Sequence, residues 1–144
     1  MTSKARTNSN SAAAPKPGGK QQRPVAIVGG NRIPFARSVR KYAQASNQDK
    51  VTSTLDGLVS RFNLQGEKLG LVAGGAVLKH SRDFNLMREC VLGSALSPYT
   101  PAFDLQQACG TGLQSIVAVG GAIAAGRIDA GVGGGVGTTS DAPV

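Results

Sequence analysis

Residues 102–136 read AFDLQQACGTGLQSIVAVGGAIAAGRIDAGVGGGV, and this stretch decides how the chain folds. After Pro98, the run Ala102-Phe103-Asp104-Leu105 has strand character. Residues 110–126 read as a helix made largely of Ala, Gly, Val and Ile, and residues 130–136 as a glycine-rich strand. A helix that carries the chain back between two strands makes them parallel. This helix is also unusual in composition, because between residues 113 and 125 only Gln114 and Ser115 interrupt its apolar and small residues. A helix apolar all round is buried on all sides. One short sheet would leave a flank of it facing water, so a further layer is implied, from another segment or a second subunit.

Upstream the same alternation recurs. Val25-Ala26-Ile27-Val28, stopped by Gly29-Gly30-Asn31, suits a first buried strand entering a turn. Val51, Leu55, Leu58, Val59 and Phe62 fall on one helical face, with Asn47 and Asp49 near the start as caps. Residues 69–77, LGLVAGGAV, read as a glycine-containing buried strand, and residues 85–96 as a helix with Leu86, Cys90 and Leu96 among its apolar positions. The predicted order is β-α-β-α-β-α-β. That order predicts an α/β fold with a mostly parallel sheet and helices on both faces, in α-β-α layers.

A length of 144 residues fits a single core. The net charge of +8 is unevenly placed: residues 1–48 hold nine Lys or Arg and no acid, and residues 49–144 hold seven bases and eight acids. Residues 1–22 are rich in Ser, Ala, Pro, Gly and Lys and lack a large apolar residue after Met1, so a disordered basic tail is expected. A transit peptide shares that composition but also needs an apolar face, and this stretch offers only alanines. Aromatics make up only 4% and the later bases are scattered, which disfavours nucleic acid as a partner. Cys90 and Cys109 form neither a disulfide framework nor the close pairs of a zinc site, and His80 is the only histidine, so no metal is expected. Without an apolar run of roughly 20 residues there is no predicted membrane span, and a soluble chain in the reducing cytoplasm is the expectation.

The chemistry is carried by Gln106-Gln107-Ala108-Cys109-Gly110-Thr111-Gly112, which places a cysteine between a strand end and the first turn of a buried helix. Unpaired N–H groups and the positive end of the helix dipole favour a negatively charged sulfur there, the form that attacks a carbonyl. Ala108, Gly110 and Gly112 leave room for a substrate. Cysteines are commonly core residues, and Cys90, among apolar helix positions, reads as one. His80, in Leu78-Lys79-His80-Ser81-Arg82-Asp83, reads as a solvated loop residue. Neither a Gly-Lys-Ser/Thr phosphate loop nor a dinucleotide fingerprint is present, since the glycines at 131–135 end a helix rather than open one.

The segment around Cys109 resembles the nucleophile motif of the thiolases, where a strand runs into a Cys followed by small residues and an apolar helix. Arg32-Ile33-Pro34-Phe35-Ala36-Arg37 resembles the Arg-x-Pro-Phe signature of that family, Asn85-Leu86-Met87-Arg88-Glu89 its Asn-x-x-Arg helix start, and Gly133-Gly134-Gly135 its glycine-rich strand. Gly137-Thr138-Thr139-Ser140 departs from the usual Glu-Ser-Met-Ser. The resemblance covers residues 23–144, read as an N-terminal thiolase domain without its C-terminal half. Two related βαβαβαββ halves in five layers are implied, which would supply the neighbours that the apolar helix needs.

The resemblance further implies that Cys109 takes an acyl group from acyl-CoA or 3-ketoacyl-CoA and passes it to CoA or an acetyl-CoA enolate, as an acetyl-CoA acetyltransferase or 3-ketoacyl-CoA thiolase of fatty-acid or acetoacetyl-CoA metabolism. Coenzyme A thioesters would be substrates, with no permanently bound cofactor, and a dimer or tetramer is implied. The family's catalytic His, Asn and second Cys belong to the C-terminal half, and neither His80 nor Cys90 matches their contexts. Asn85 and Arg88 could reach the site or the dimer mate, but a helix cap and a surface or interface ion pair explain them equally well. Two other readings stand beside this one: a ketoacyl-synthase-like condensing enzyme, and an inactive fragment serving as an interaction module through its apolar helix. The Arg-x-Pro-Phe segment favours thiolase over the synthase.

Overall fold

A computed structural model describes residues 22–141. The basic tail expected at residues 1–22 therefore lies outside the described residues, apart from Gln22. Three helices, α1 (Asn47–Phe62), α2 (Leu86–Gly93) and α3 (Thr111–Ala124), alternate with the strands β1 (Leu71–Gly74), β2 (Ala102–Asp104) and β3 (Gly131–Gly133), and a 3-10 turn spans Ser81–Asp83. The strands form one parallel sheet in the order β2-β1-β3, with Val72 of β1 opposite both Ala102 and Val132.

The chain steps from β1 to β2 and then back across β1 to β3. Right-handed crossovers that reverse direction across a sheet must use opposite faces. The side-chain alternation agrees: Val132 packs with the α1/α2 cluster, while the flanking Gly131 and Gly133 lie against Val119 and Ile116 of α3. The predicted α-β-α layering is thus present.

One expected element is absent. Residues 25–28 form no strand, and Ile27 and Val28 are 83% and 87% exposed. An apolar run becomes a strand only when a neighbour completes its ladder, and here the 22–31 segment is tied down by side chains instead. Arg23 binds the end of α3, its backbone N–H donating to the Ala124 carbonyl at 3.0 Å and its Nε to the Ile123 carbonyl at 3.0 Å, while Nη1 pairs with Asp129 at 2.9 Å. At the other end, Asn31 Nδ2 donates to the Thr54 carbonyl and Arg61 Nη1 to the Gly30 carbonyl. The segment links the α3 layer to α1 without joining the sheet, and the element order is α-β-α-β-α-β.

The start of α1 also differs from expectation. Ser46 is the cap: its Oγ accepts from the Asp49 N–H at 3.1 Å and the Asp49 carboxylate accepts from the Ser46 N–H at 2.9 Å, a reciprocal capping box. These bonds from Ser46 hold the Asp49 carboxyl below its ordinary range. Asn47 is instead fully buried and donates through Nδ2 to the Leu78 carbonyl and to Asp83. The helix seals one side of the core, in which Leu55, Val59, Leu69, Val72, Val91 and Leu96 form one cluster and Ala76, Leu86, Met87 and Cys90 another.

Helix α3 is inverted relative to a surface helix. Its buried residues include the polar Thr111 and Ser115, the latter donating from Oγ to the Thr111 carbonyl at 2.8 Å. Leu113, Ile116 and Val117 face outward, 69%, 42% and 56% exposed. The burial on all sides expected from composition is not met by the described residues, which cover one face only.

Small residues let α3 sit close on β3. A Cβ on Gly133 would lie 2.7 Å from the backbone N and Cα of Ile116, a contact neither rigid element can relieve. Gly133→Ala is expected to destabilise the protein by about 1–3 kcal/mol, as overpacking does. A urea midpoint equal to that of the native protein would show that the helix can lift off the sheet without cost.

Candidate active site

The site begins where β2 ends. Asp104, the last residue of β2, aims its carboxylate at the first turn of α2: Oδ1 accepts from the Met87 N–H at 2.7 Å, and Oδ2 from the Leu86 N–H at 3.1 Å and from Lys79 Nζ at 2.8 Å. A carboxylate satisfying the orphan N–H groups of a helix start is favoured by hydrogen bonding and by the dipole together. It also anchors the strand end from which the next residues depart. The sequence showed Asp104 only as part of a strand, since the partner helix start lies 17 and 18 residues earlier.

Beyond Leu105, whose N–H donates to the Gly74 carbonyl at 2.8 Å, the backbone leaves the sheet in a tight turn. Ala108 adopts φ +44°, a conformation sterically unfavourable for a residue with a Cβ. Surrounding bonds over-determine it. The Gly110 N–H donates to the Gln107 carbonyl at 2.8 Å, and Thr111 Oγ1 donates to the Ala108 carbonyl at 2.8 Å while accepting from the Gln107 N–H at 2.9 Å. Thr111 is 4% exposed, so its hydroxyl locks the turn from inside. Gln106 Nε2 reaches the Val77 carbonyl at 3.2 Å. Stored strain of this kind, held by its surroundings, is a feature of functional turns.

The turn carries Cys109 outward. Its thiol is free and exposed, one residue before the Gly110 cap of α3. The first-turn N–H groups of Gly112 and Leu113 take no partner among the described hydrogen bonds, so the positive end of the helix lies beside this sulfur. Ala108 and Thr111 were not legible as functional positions. The strain at residue 108 has no sequence marker, because alanine carries no turn preference of its own.

Cys90 is the opposite case. It is 0% exposed, packed with Ala76, Leu86 and Met87, and burial pushes its pKa from 9.0 up to about 11. A rise of that size lowers its thiolate fraction roughly 100-fold against an unperturbed cysteine, before any steric shielding. Iodoacetamide at neutral pH is therefore expected to label Cys109 in the native protein and to leave Cys90 unmodified until denaturant is added. Equal labelling rates by peptide mass spectrometry would contradict both placements.

The remaining candidates lie elsewhere. His80 is half-buried rather than freely solvated, with Nε2 3.4 Å from Asp141, which also pairs with Arg82. Arg82 in turn holds the Asp141 carboxyl below its ordinary range. Asn85 caps α2 without a side-chain hydrogen bond, and Arg88 Nη1 donates to the Thr100 carbonyl at 2.9 Å. No hydrogen bond or ion pair among the described residues joins His80 or Cys90 to Cys109. Nor, among those residues, does any cluster of three His, Cys, Asp or Glu stand close enough to hold a metal ion. Among the described residues no helix is long and apolar enough to cross a membrane. The divergent 137–140 stretch holds a neighbouring loop: Thr139 Oγ1 lies 2.6 Å from Ser38 Oγ, and Ser140 Oγ accepts from the Val39 N–H at 2.7 Å.

Comparison with known proteins bears on the family and the fold. Residues 25–144 match the family model described as thiolase, N-terminal domain. The chain is 37% identical over 120 residues to a 3-ketoacyl-CoA thiolase of Photorhabdus laumondii subsp. laumondii, covering 83% of this chain and 28% of that protein. It is 33% identical to the mitochondrial trifunctional enzyme subunit beta of Mus musculus, with coverage of 83% and 25%. Among solved structures it superposes on the acetyl-CoA acetyltransferase of Bacillus anthracis with a TM-score of 0.67 at 20% identity, over 72% of this chain and 26% of that one. The chain thus spans about a quarter of the length of the relatives it matches.

Proposed function

The chain belongs to the thiolase family, through its N-terminal domain, and we propose that it is the nucleophile-bearing part of an acyl-CoA acyltransferase, with Cys109 as the residue that becomes acylated. The observation that carries this reading is the contrast between the cysteines. Cys90 is sealed in the core, whereas Cys109 is exposed on a strained turn at the start of α3. A structural cysteine needs no such presentation.

The chemistry follows from that placement. The Cys109 sulfur attacks the carbonyl carbon of an acyl-CoA or 3-ketoacyl-CoA, a new C–S bond forms, and the departing group leaves as CoA thiolate or as an acetyl-CoA enolate that takes up a proton. In the second half, the thiol of CoA or an acetyl-CoA enolate attacks the S-acyl cysteine and frees the Cys109 sulfur. Two moderate steps replace one difficult transfer. On this chain, the N–H groups at the start of α3 favour negative charge at the reacting sulfur, and Thr111 fixes the turn that aims it. Among the described residues no hydrogen bond or ion pair joins His80 or Cys90 to Cys109, so the groups that move protons are assigned to the C-terminal half that the thiolase family carries.

The open α3 face supports the same assignment of domains. Leu113, Ile116 and Val117 form an apolar surface suited to a second half of the molecule, and the protein would work as a dimer or tetramer in the cytoplasm. Coenzyme A thioesters are its substrates, and it holds no permanent cofactor.

Exposure of the purified protein to acetyl-CoA tests the reading. Peptide mapping should find an acetyl adduct on Cys109, labile to hydroxylamine and to excess CoA. A folded sample that acquires no adduct, or acquires it on Cys90 to the same extent, would leave the fold and remove the function.

A further inference from the structure

A second feature goes beyond acyl transfer. Between Arg32 and Tyr42 the chain makes a loop with four cations, Arg32, Arg37, Arg40 and Lys41, and no acidic residue. The loop encloses a concavity of about 420 Å³ whose walls include Phe35, Arg37, Arg40, Lys41 and Tyr42. Every carboxylate in the described ion pairs is bound by some other cation, namely Arg23, Lys79, His80 or Arg82. Arg37, Arg40 and Lys41 line one concave space, and among the described residues no ion pair joins any of them to a carboxylate. Behind it, buried Lys50 places Nζ 5.8 Å from the centre of the Tyr42 ring and faces the carboxylates of Asp141 and Asp49, so it is not counted among the cations of the loop.

Like charges gathered on a short loop repel one another, and a wandering loop would spread them apart. This loop is instead held in place. Ser38 and Val39 are bonded to Thr139 and Ser140, the Ala43 and Ala45 N–H groups close turns on the Arg40 and Tyr42 carbonyls, and Val39 is kept at φ +55°, costly for a β-branched residue. Phe35 stands 91% exposed at the rim, an aromatic face beside the cations.

We propose that this loop is a binding site for phosphate groups, taken up by Arg37, Arg40 and Lys41. Guanidinium forks match two phosphate oxygens at once, and the ammonium adds a point charge, so a diphosphate suits the cluster better than a monoanion. The phosphate belongs either to a soluble organic phosphate or to a lipid headgroup, and the two are separable by experiment.

Calorimetric titration of the intact protein with sodium pyrophosphate at low salt is the first arm, and flotation with phosphatidylcholine vesicles, with and without phosphatidic acid, is the second. Saturable pyrophosphate binding is expected, weakened by added sodium chloride. The triple variant Arg37→Gln, Arg40→Gln, Lys41→Gln should lose about tenfold or more in affinity, and Arg127→Gln, an exposed cation at the far end of α3, less than about twofold. These side chains are exposed, so the fold should be unaffected by their replacement. Pyrophosphate binding alone identifies a soluble phosphate, and retention on phosphatidic acid vesicles that the triple variant abolishes identifies a headgroup. If neither probe binds, or if Arg127→Gln weakens binding as much as the triple variant does, there is no site here and only net charge is at work.

Discussion

Cys109→Ser is expected to abolish acyl transfer, lowering kcat of the intact enzyme by at least about 1,000-fold while KM for the thioester stays within about twofold. The argument is one of chemistry at a single atom. A serine hydroxyl at neutral pH is a far weaker nucleophile than a cysteine, and among the described residues no base is hydrogen-bonded to residue 109 to activate it. Binding of the CoA portion does not depend on this sulfur, so the loss falls on the chemical step. The side chain is exposed, and the change should alter stability by no more than about 0.5 kcal/mol. The measurement is steady-state kinetics beside acetyl labelling and thermal unfolding on the same preparation. Residual activity above a few per cent, with a folded variant, would mean that another group carries the acyl chain.

Asp104→Ala should cost the fold about 3 kcal/mol. Three bonds vanish at once, two from the first-turn N–H groups of α2 and one from Lys79, and alanine leaves those donors in a half-buried setting. Bonds to a charged group contribute about 1.5–3 kcal/mol each in stability series, and partial exposure of Lys79 reduces its share. The loss should appear as a lower urea midpoint with an unchanged slope. Asp104→Asn, which keeps one acceptor oxygen, should recover part of it. The variant should also weaken Cys109 labelling by acetyl-CoA, because Asp104 anchors the strand that leads into the Ala108 turn. An unchanged midpoint would mean that water replaces the carboxylate at the helix start without penalty.

Local chemistry explains which features were legible from sequence. Apolar runs interrupted by glycine placed β1, β2, β3 and all three helices in their correct order, because a buried parallel strand and its return helix both leave continuous apolar signatures. The position of Cys109 at the start of α3 was equally readable, since strand, small residues and apolar helix adjoin in the chain. Residues 25–28 carried the same strand signature, yet they form no strand, because contacts of Arg23 with the end of α3 and of Gly30 and Asn31 with α1 hold the segment away from the sheet. Ser46 took the place of Asn47 as the cap of α1, with Asp49 completing the capping box, while Asn47 is buried against Leu78 and Asp83.

The sequence by itself determined the layered α/β class, the family, and the placement of Cys109 between a strand end and the start of α3, because each rests on motifs whose residues adjoin along the chain. Only the tertiary structure decided that Asp104 closes the start of α2, that Thr111 locks a strained Ala108, that Cys90 is sealed while Cys109 is open, and that three cations share one concavity. Those facts join residues far apart in sequence or depend on a backbone angle with no residue preference, and only packing in three dimensions brings such groups together.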